Sequence, residues 1–193
     1  MVIRTIIRWL WLGLLAYWLV SARRIKRAKQ MEGRASRLTR LAVTVLVFAF
    51  LLRPNMRGGW LGERFVPRSE GIAIAGAIVT ALGVGLAAWA RYVLGKNWSA
   101  AITLKESHEL IRSGPYARIR HPIYSGIVLG LLGTALAIGE WRALVGTAIM
   151  FASYFVKARR EEKLLAPEFG PAFQEHLRRT GMFLPRFSAA PER

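Results

Sequence analysis

From Gly71 to Ala90 the chain runs for 20 residues without a charge (GIAIAGAIVTALGVGLAAWA). At 1.5 Å of rise per residue, a helix of that length matches a hydrocarbon core of roughly 30 Å. The run is therefore predicted to cross a bilayer. Four further apolar stretches follow the same logic less fully. Trp9 to Val20 lengthens into a span if Arg4 and Arg8 reach towards headgroups while Trp9, Trp11 and Trp18 lie near the interfaces. Leu41 to Leu52 is short, so a tilted or re-entrant segment is its alternative. Ile123 to Ile138 and Ala143 to Val156 are separated only by Gly139, Glu140, Trp141 and Arg142, a break too polar for lipid, and are expected to form a tight helical hairpin. Gly126 and Gly130 stand four apart on one face with Gly133 a turn further, a spacing that permits close helix packing in a membrane.

Charge separates from these stretches. The 193 residues are 53% apolar, yet 29 Lys and Arg against 11 Asp and Glu leave a net +18. Such a surplus fits nucleic-acid binding, but here the cations flank the apolar runs, where they meet anionic lipid headgroups and fix orientation. Alternating the connectors of five crossings puts 22 of the 29 cations on one side, which the positive-inside rule makes cytoplasmic. The amino terminus is then outside and the carboxyl terminus inside. A cleavable signal over the first 22 residues is the rival, but it would translocate Arg23, Arg24, Lys26, Arg27 and Lys29 against that rule. The absence of cysteine excludes disulfides, iron–sulfur clusters and thiolate zinc sites.

The expected fold is an all-α integral membrane protein of about five transmembrane helices, one domain over 1–193 with a two-helix region at 1–70 and a core at 71–186. Its connector 91–122 is longer than two packed helices need, and long loops usually carry function. Ser113, Gly114 and Pro115 form a turn that can fold His108 back towards Tyr116. Pro122 suits the first position of a helix, making His121 an entry residue beside unpaired backbone N–H groups that can hold an anion. Arg120 adds a cation there, and Tyr124 an aromatic face with a hydroxyl. Further on, Lys157 and Glu161 share a helix face, and the helix is expected to continue until Pro167. Each feature also has a plain structural reading as an interfacial anchor, a helix start or a solvated ion pair.

Together they form an ordered series: H-x-L-x-x-x-G-x-Y-x-x-x-R-H-P-x-Y-x-G over His108 to Gly126, then E-E-x-x-L-x-x-x-F-G over Glu161 to Gly170. The series resembles the isoprenylcysteine carboxyl methyltransferase family, within a wider group of membrane methyltransferases that includes phospholipid N-methyltransferases. The likeness covers roughly residues 85–186. It implies a cytoplasmic pocket for S-adenosylmethionine, formed by the loop before the fourth helix and the extension of the fifth, and methylation of a lipid-borne or prenylated acceptor without a metal. Carried over, His108, Glu109, Leu110, Ile111, Tyr116, His121, Pro122, Ile123, Tyr124 and Glu161 would line the cofactor pocket, and Arg120 and Lys157 would act on the acceptor. Two departures stand out. Lys157 replaces an arginine found in prenylcysteine enzymes, and Phe173 and His176 replace two tyrosines of the family's F-G-x-x-Y-x-x-Y segment. A carboxylate acceptor needs only orientation by Arg120 or Lys157. A phospholipid amine needs a base such as His121, His108 or Glu162. A nicotinamide-dependent sterol or lipid reductase shares the R-H-P-x-Y segment, and a non-enzymatic protein binding anionic lipid would explain the charge but not the motif series.

Overall fold

The computed structural model describes residues 2–22, 28–31, 33–52, 59–98, 103–105 and 109–187. Five α-helices dominate: α1 (Val2–Ser21), α2 (Arg34–Leu52), α3 (Glu70–Leu94), α4 (Pro122–Ile138) and α5 (Trp141–Arg179). One departure from the all-α expectation is a small antiparallel ribbon, in which β1 (Ala28–Met31) pairs with β2 (Thr103–Lys105), with Gln30 opposite Leu104. Three or four residues without apolar alternation carry no strand signature. The ribbon ties the connector after α1 to the one after α3.

Among the described residues α1 and the helical stretch from Glu70 to Asn97 are long and apolar enough to cross a membrane, and α4 is a shorter apolar helix. Many large apolar side chains face outward, among them Trp9 and Val20 on α1, Leu46 on α2, Ile78 and Leu82 on α3 and Phe155 on α5. Water would penalise such a surface and lipid would not.

The core is built where α3 and α4 meet at backbone distance. A Cβ on Gly83 would lie 2.2 Å from the Gly130 nitrogen, one on Gly126 2.6 Å from the Ala87 nitrogen, and one on Gly133 2.4 Å from the Thr80 nitrogen. The glycine face of α4 therefore meets a matching row on α3. A Cβ at Gly130 would instead meet the Trp11 ring of α1 at 3.1 Å. Trp11 Nε1 donates to Thr134 Oγ1 (3.1 Å), which lies 3.2 Å from Thr80 Oγ1, so one buried polar chain joins α1, α3 and α4. Gly83→Ala is expected to lower the melting temperature in detergent by about 4 °C or more, from an overpacking cost of about 2 kcal/mol. Gly85→Ala, with nothing within 4 Å of its Cβ, should leave melting unchanged. Equal melting of the two variants would refute the backbone contact.

The α4–α5 hairpin turns at Gly139, whose φ of 74° suits glycine. Arg142, almost wholly buried, pairs with Glu140 at 2.5 Å and donates to the Phe50 carbonyl, fastening the end of α2 to the start of α5. At the opposite end, α5 does not stop at Pro167. It continues to Arg179, and the break comes at Gly170 (φ 50°, ψ −127°), with Pro171 opening the next turns. Proline is tolerated at a first helical position, and the glycine before it absorbs the change of direction.

Candidate functional site

Pro122 opens α4 with His121 as its N-cap residue, as the sequence suggested. What the sequence did not reveal is how that segment is held. After α5 the chain returns as a strap. Arg120 N donates to the Gly181 carbonyl (2.8 Å), His121 N to that of Met182 (3.1 Å), and Ser125 Oγ to that of Phe183 (2.7 Å). The two backbone N–H groups that precede the helix are thus satisfied by the chain itself. The Phe183 ring closes against His121, Phe151 and Phe155.

The anions beside this helix entry are Glu161 and Glu162 of α5. His121 lies between them, with Nδ1 3.5 Å from Glu161 Oε2 and Nε2 3.3 Å from Glu162 Oε1. Both ring nitrogens face acceptors, an arrangement the imidazolium satisfies by donating twice. Burial by itself pushes the imidazolium down, but the hydrogen bonds and charges of the two glutamates outweigh it and raise the His121 pKa. Burial likewise pushes both carboxyls up, and their partners reverse that. Lys157, His121 and Tyr124 hold Glu161 below the usual carboxylate range, while His121 and Arg120 do so for Glu162.

Glu161 accepts from the Tyr124 hydroxyl at 2.8 and 2.9 Å and lies 3.8 Å from Lys157 Nζ. Tyr124 is stacked between Tyr154 (4.7 Å) and His121 (5.4 Å) in a nearly parallel three-ring column, and Lys157 Nζ sits 5.0 Å from its ring centre. Arg120 is occupied differently from the sequence expectation. Its guanidinium donates to Glu162 Oε1 (2.7 Å) and to the carbonyls of Leu177 and Thr180, so it clamps the strap and the glutamate.

These groups open onto one cavity of about 840 Å³. Of the residues singled out from the sequence, Glu109, Leu110, Ile111, Tyr116, Arg120, His121, Ile123, Tyr124, Lys157 and Glu161 line it. Pro122 is fully buried behind it as the helix start, and His108 lies outside the described residues. The cavity wall also takes residues that sequence reasoning left aside: Trp18 and Leu19 of α1, Arg40 and Thr44 of α2, and Asn97 at the end of α3. Phe173 and His176, which stand where the motif would have tyrosines, line it too. Burial and the nearby Arg112, Arg120 and His121 push His176 down to about 4, so it stays neutral. Periodicity offered no signal for the α1 and α2 contributions, because only the helix packing turns those faces inward.

A buried cluster of one histidine and two glutamates at a helix entry, open to a large cavity walled by apolar helices, sits inside the segment that similarity singles out. Residues 72–172 match the phospholipid methyltransferase family. The chain belongs to this family. The match begins near the start of α3, ahead of the motif-bearing stretch from 85, and ends in α5. Family membership and the apolar helices together make the chain an integral membrane protein. Among similar proteins, the cobalt-zinc-cadmium resistance protein CzcN of Cupriavidus metallidurans is 38% identical over 109 residues, covering 55% of this chain and 48% of that protein. The nickel-cobalt-cadmium resistance protein NccN of Alcaligenes xylosoxydans xylosoxydans is 33% identical over 117 residues, 60% and 53% of the two chains. The protein-S-isoprenylcysteine O-methyltransferase of Schizosaccharomyces pombe is 26% identical over 107 residues, 54% and 45%. The matched segment thus spans about half the length of these relatives.

Proposed function

We propose that the chain is an S-adenosylmethionine-dependent methyltransferase that acts at the membrane edge on a lipid-borne carboxylate, such as that of an isoprenylcysteine, and forms its methyl ester. The observation that carries this reading is that the Glu161–His121–Glu162 cluster shares one cavity with Leu15, Trp18 and Leu19 of α1 and Leu41 of α2. In this reading all five helices cross the bilayer and the cluster lies on the cytoplasmic side.

The residues present suit such a cofactor. Asn97 Oδ1 and Trp18 Nε1 are buried without a hydrogen-bond partner among the described residues, and both side chains line the cavity. They offer one acceptor and one donor to a polar ligand. Glu109, Glu161 and Glu162 offer carboxylates in the wall to a ligand that is cationic at sulfur and nitrogen. When bound, S-adenosylmethionine supplies an already activated methyl group.

The protein's task is then positioning and exclusion of water. Arg120 holds Glu162, and Glu162 with Glu161 holds His121, so the wall at the helix entry is rigid before any ligand arrives. Leu164, Leu165, Phe169 and Phe173 of α5 close the cavity with apolar surface, which strengthens attraction between a cationic donor and an anionic acceptor. No proton has to move for a carboxylate to react. A phospholipid amine acceptor is the second reading, and it would need a base in the same wall, for which His121 and Glu162 stand at the helix entry.

Isothermal titration of S-adenosylmethionine into the detergent-purified protein tests the reading. Saturable binding below millimolar concentration is expected, and none at millimolar cofactor would sink it. The transferred label should be released by mild alkali, as esters are. A label resistant to alkali would move the assignment to the amine.

A further inference from the structure

The family match and the motifs both lie outside α2, yet α2 places a cation in the cavity. Arg40 lines it together with Leu41 and Thr44 of the same helix. Its Nη1 donates to Ser36 Oγ at 2.9 Å, and Arg160 Nη1 of α5 donates to the same oxygen at 3.0 Å, so the serine fixes Arg40 against the outer end of the site. Lys157 lines the same cavity, and its positive charge is opposed by that of Arg40. Glu161 attracts both but already serves Tyr124, His121 and Lys157. Arg40 and Lys157 thus set two cations around Glu161 on this side of the cavity. Beside His121 the two glutamates are matched by the imidazolium and by Arg120.

The same side is where the cavity meets lipid. Leu15 and Leu19 of α1 and Leu41 of α2 line it while leaving 52%, 65% and 60% of their surface exposed. A lipid chain can lie against these side chains with its polar end directed inward to Arg40.

We propose that Arg40 is the residue that recognises the acceptor, its guanidinium meeting the anionic group at the end of a lipid chain that enters between α1 and α2. A planar guanidinium holds a carboxylate through two parallel hydrogen bonds, which fixes direction as well as position. An ammonium-bearing acceptor would be repelled by the same charge. The assignment rests on the methyl-transfer reading for its purpose, but the binding it describes can be measured without any transfer.

The test uses two probes that share a farnesyl chain: N-acetyl-S-farnesylcysteine, which carries one carboxylate, and its carboxamide. Binding to the detergent-purified full chain is expected to favour the carboxylate by at least about tenfold. Arg40→Gln should reduce that preference below about threefold while the carboxamide and S-adenosylmethionine bind as before. In the wild type, the carboxylate and not the carboxamide should slow labelling of Arg40 by phenylglyoxal, read by peptide mass spectrometry, which decides the matter even if the variant does not fold. A wild type without preference, a variant that keeps it, or equal labelling with both probes overturns the proposal. Loss of S-adenosylmethionine binding with the carboxylate preference intact would instead defeat the transferase reading and leave Arg40 as an anion receptor.

Discussion

Glu161→Gln is expected to reduce methyl transfer by at least about 100-fold and to weaken S-adenosylmethionine binding by about tenfold or more, with the protein still inserted in the membrane. The carboxylate is the hub of the cluster, since Tyr124, His121 and Lys157 all direct donors at it. A hydrogen bond to a charged group contributes about 1.5–3 kcal/mol, and breaking a buried pair leaves the partner's charge uncompensated. Glutamine keeps the shape but turns one acceptor oxygen into a donor that faces other donors. Lys157 and His121 then lose the charge that offsets their burial. Tritium transfer from labelled cofactor to lipid extract measures the first effect and calorimetry the second. Glu175→Gln is the comparison, because Glu175 pairs with Arg178 and Arg179 on the exposed side of α5, away from the cavity, and its loss should change neither. Wild-type activity in Glu161→Gln would remove the cluster from the mechanism.

The second large effect is on the pH dependence of stability. His121 has a raised pKa in the folded protein, set against burial by Glu161 and Glu162. Its stabilising contribution is therefore complete below the unfolded imidazole pKa of about 6.5 and disappears as pH rises through the folded value. Glu161 and Glu162 behave in the opposite sense. Their pKa values are lowered, so their contribution is complete above the unfolded carboxylate value and disappears as pH falls through the folded one. The cluster is fully formed between the two ranges, near pH 5 to 6. His121→Gln should melt about 3–8 °C below wild type at pH 6, from two charge-assisted hydrogen bonds. The gap should narrow as pH rises through the raised folded pKa of His121. Arg120, Lys157, Tyr124 and His176 surround the cluster but are unchanged in the comparison, so the difference between the two profiles isolates His121. A gap that does not narrow however far the pH is raised above 6 would show that the ring acts through packing alone.

How much was legible in the sequence differs from element to element. The uncharged run at 71–90 and the proline at 122 each dictate a helix from local chemistry, and α3 and α4 follow. The glycine face of α4 was readable as a capacity for close approach, but its partner row on α3, with Gly83 against Gly130, appears only when the two helices are laid together. Pro167 misled because proline is a strong local stop signal. The chain instead bends three residues later, where Gly170 adopts a positive φ that other residues resist. The ribbon of β1 and β2 is too short to leave a pattern.

The candidate site divides in the same way. Its residue types and their order along the chain, from Glu109 through Tyr124 and on to Glu161, were readable as a motif series, and their assignment to a cofactor pocket came from the family resemblance that the series carries. Position in space came from elsewhere. The strap at 181–183 claims the backbone donors of Arg120 and His121, Arg120 turns to Glu162, and α1 and α2 complete a wall that no motif describes. Covalent spacing determines which face of a helix a side chain occupies. Which faces then share a cavity depends on long-range packing of separate helices, and that is decided only when the whole chain has folded.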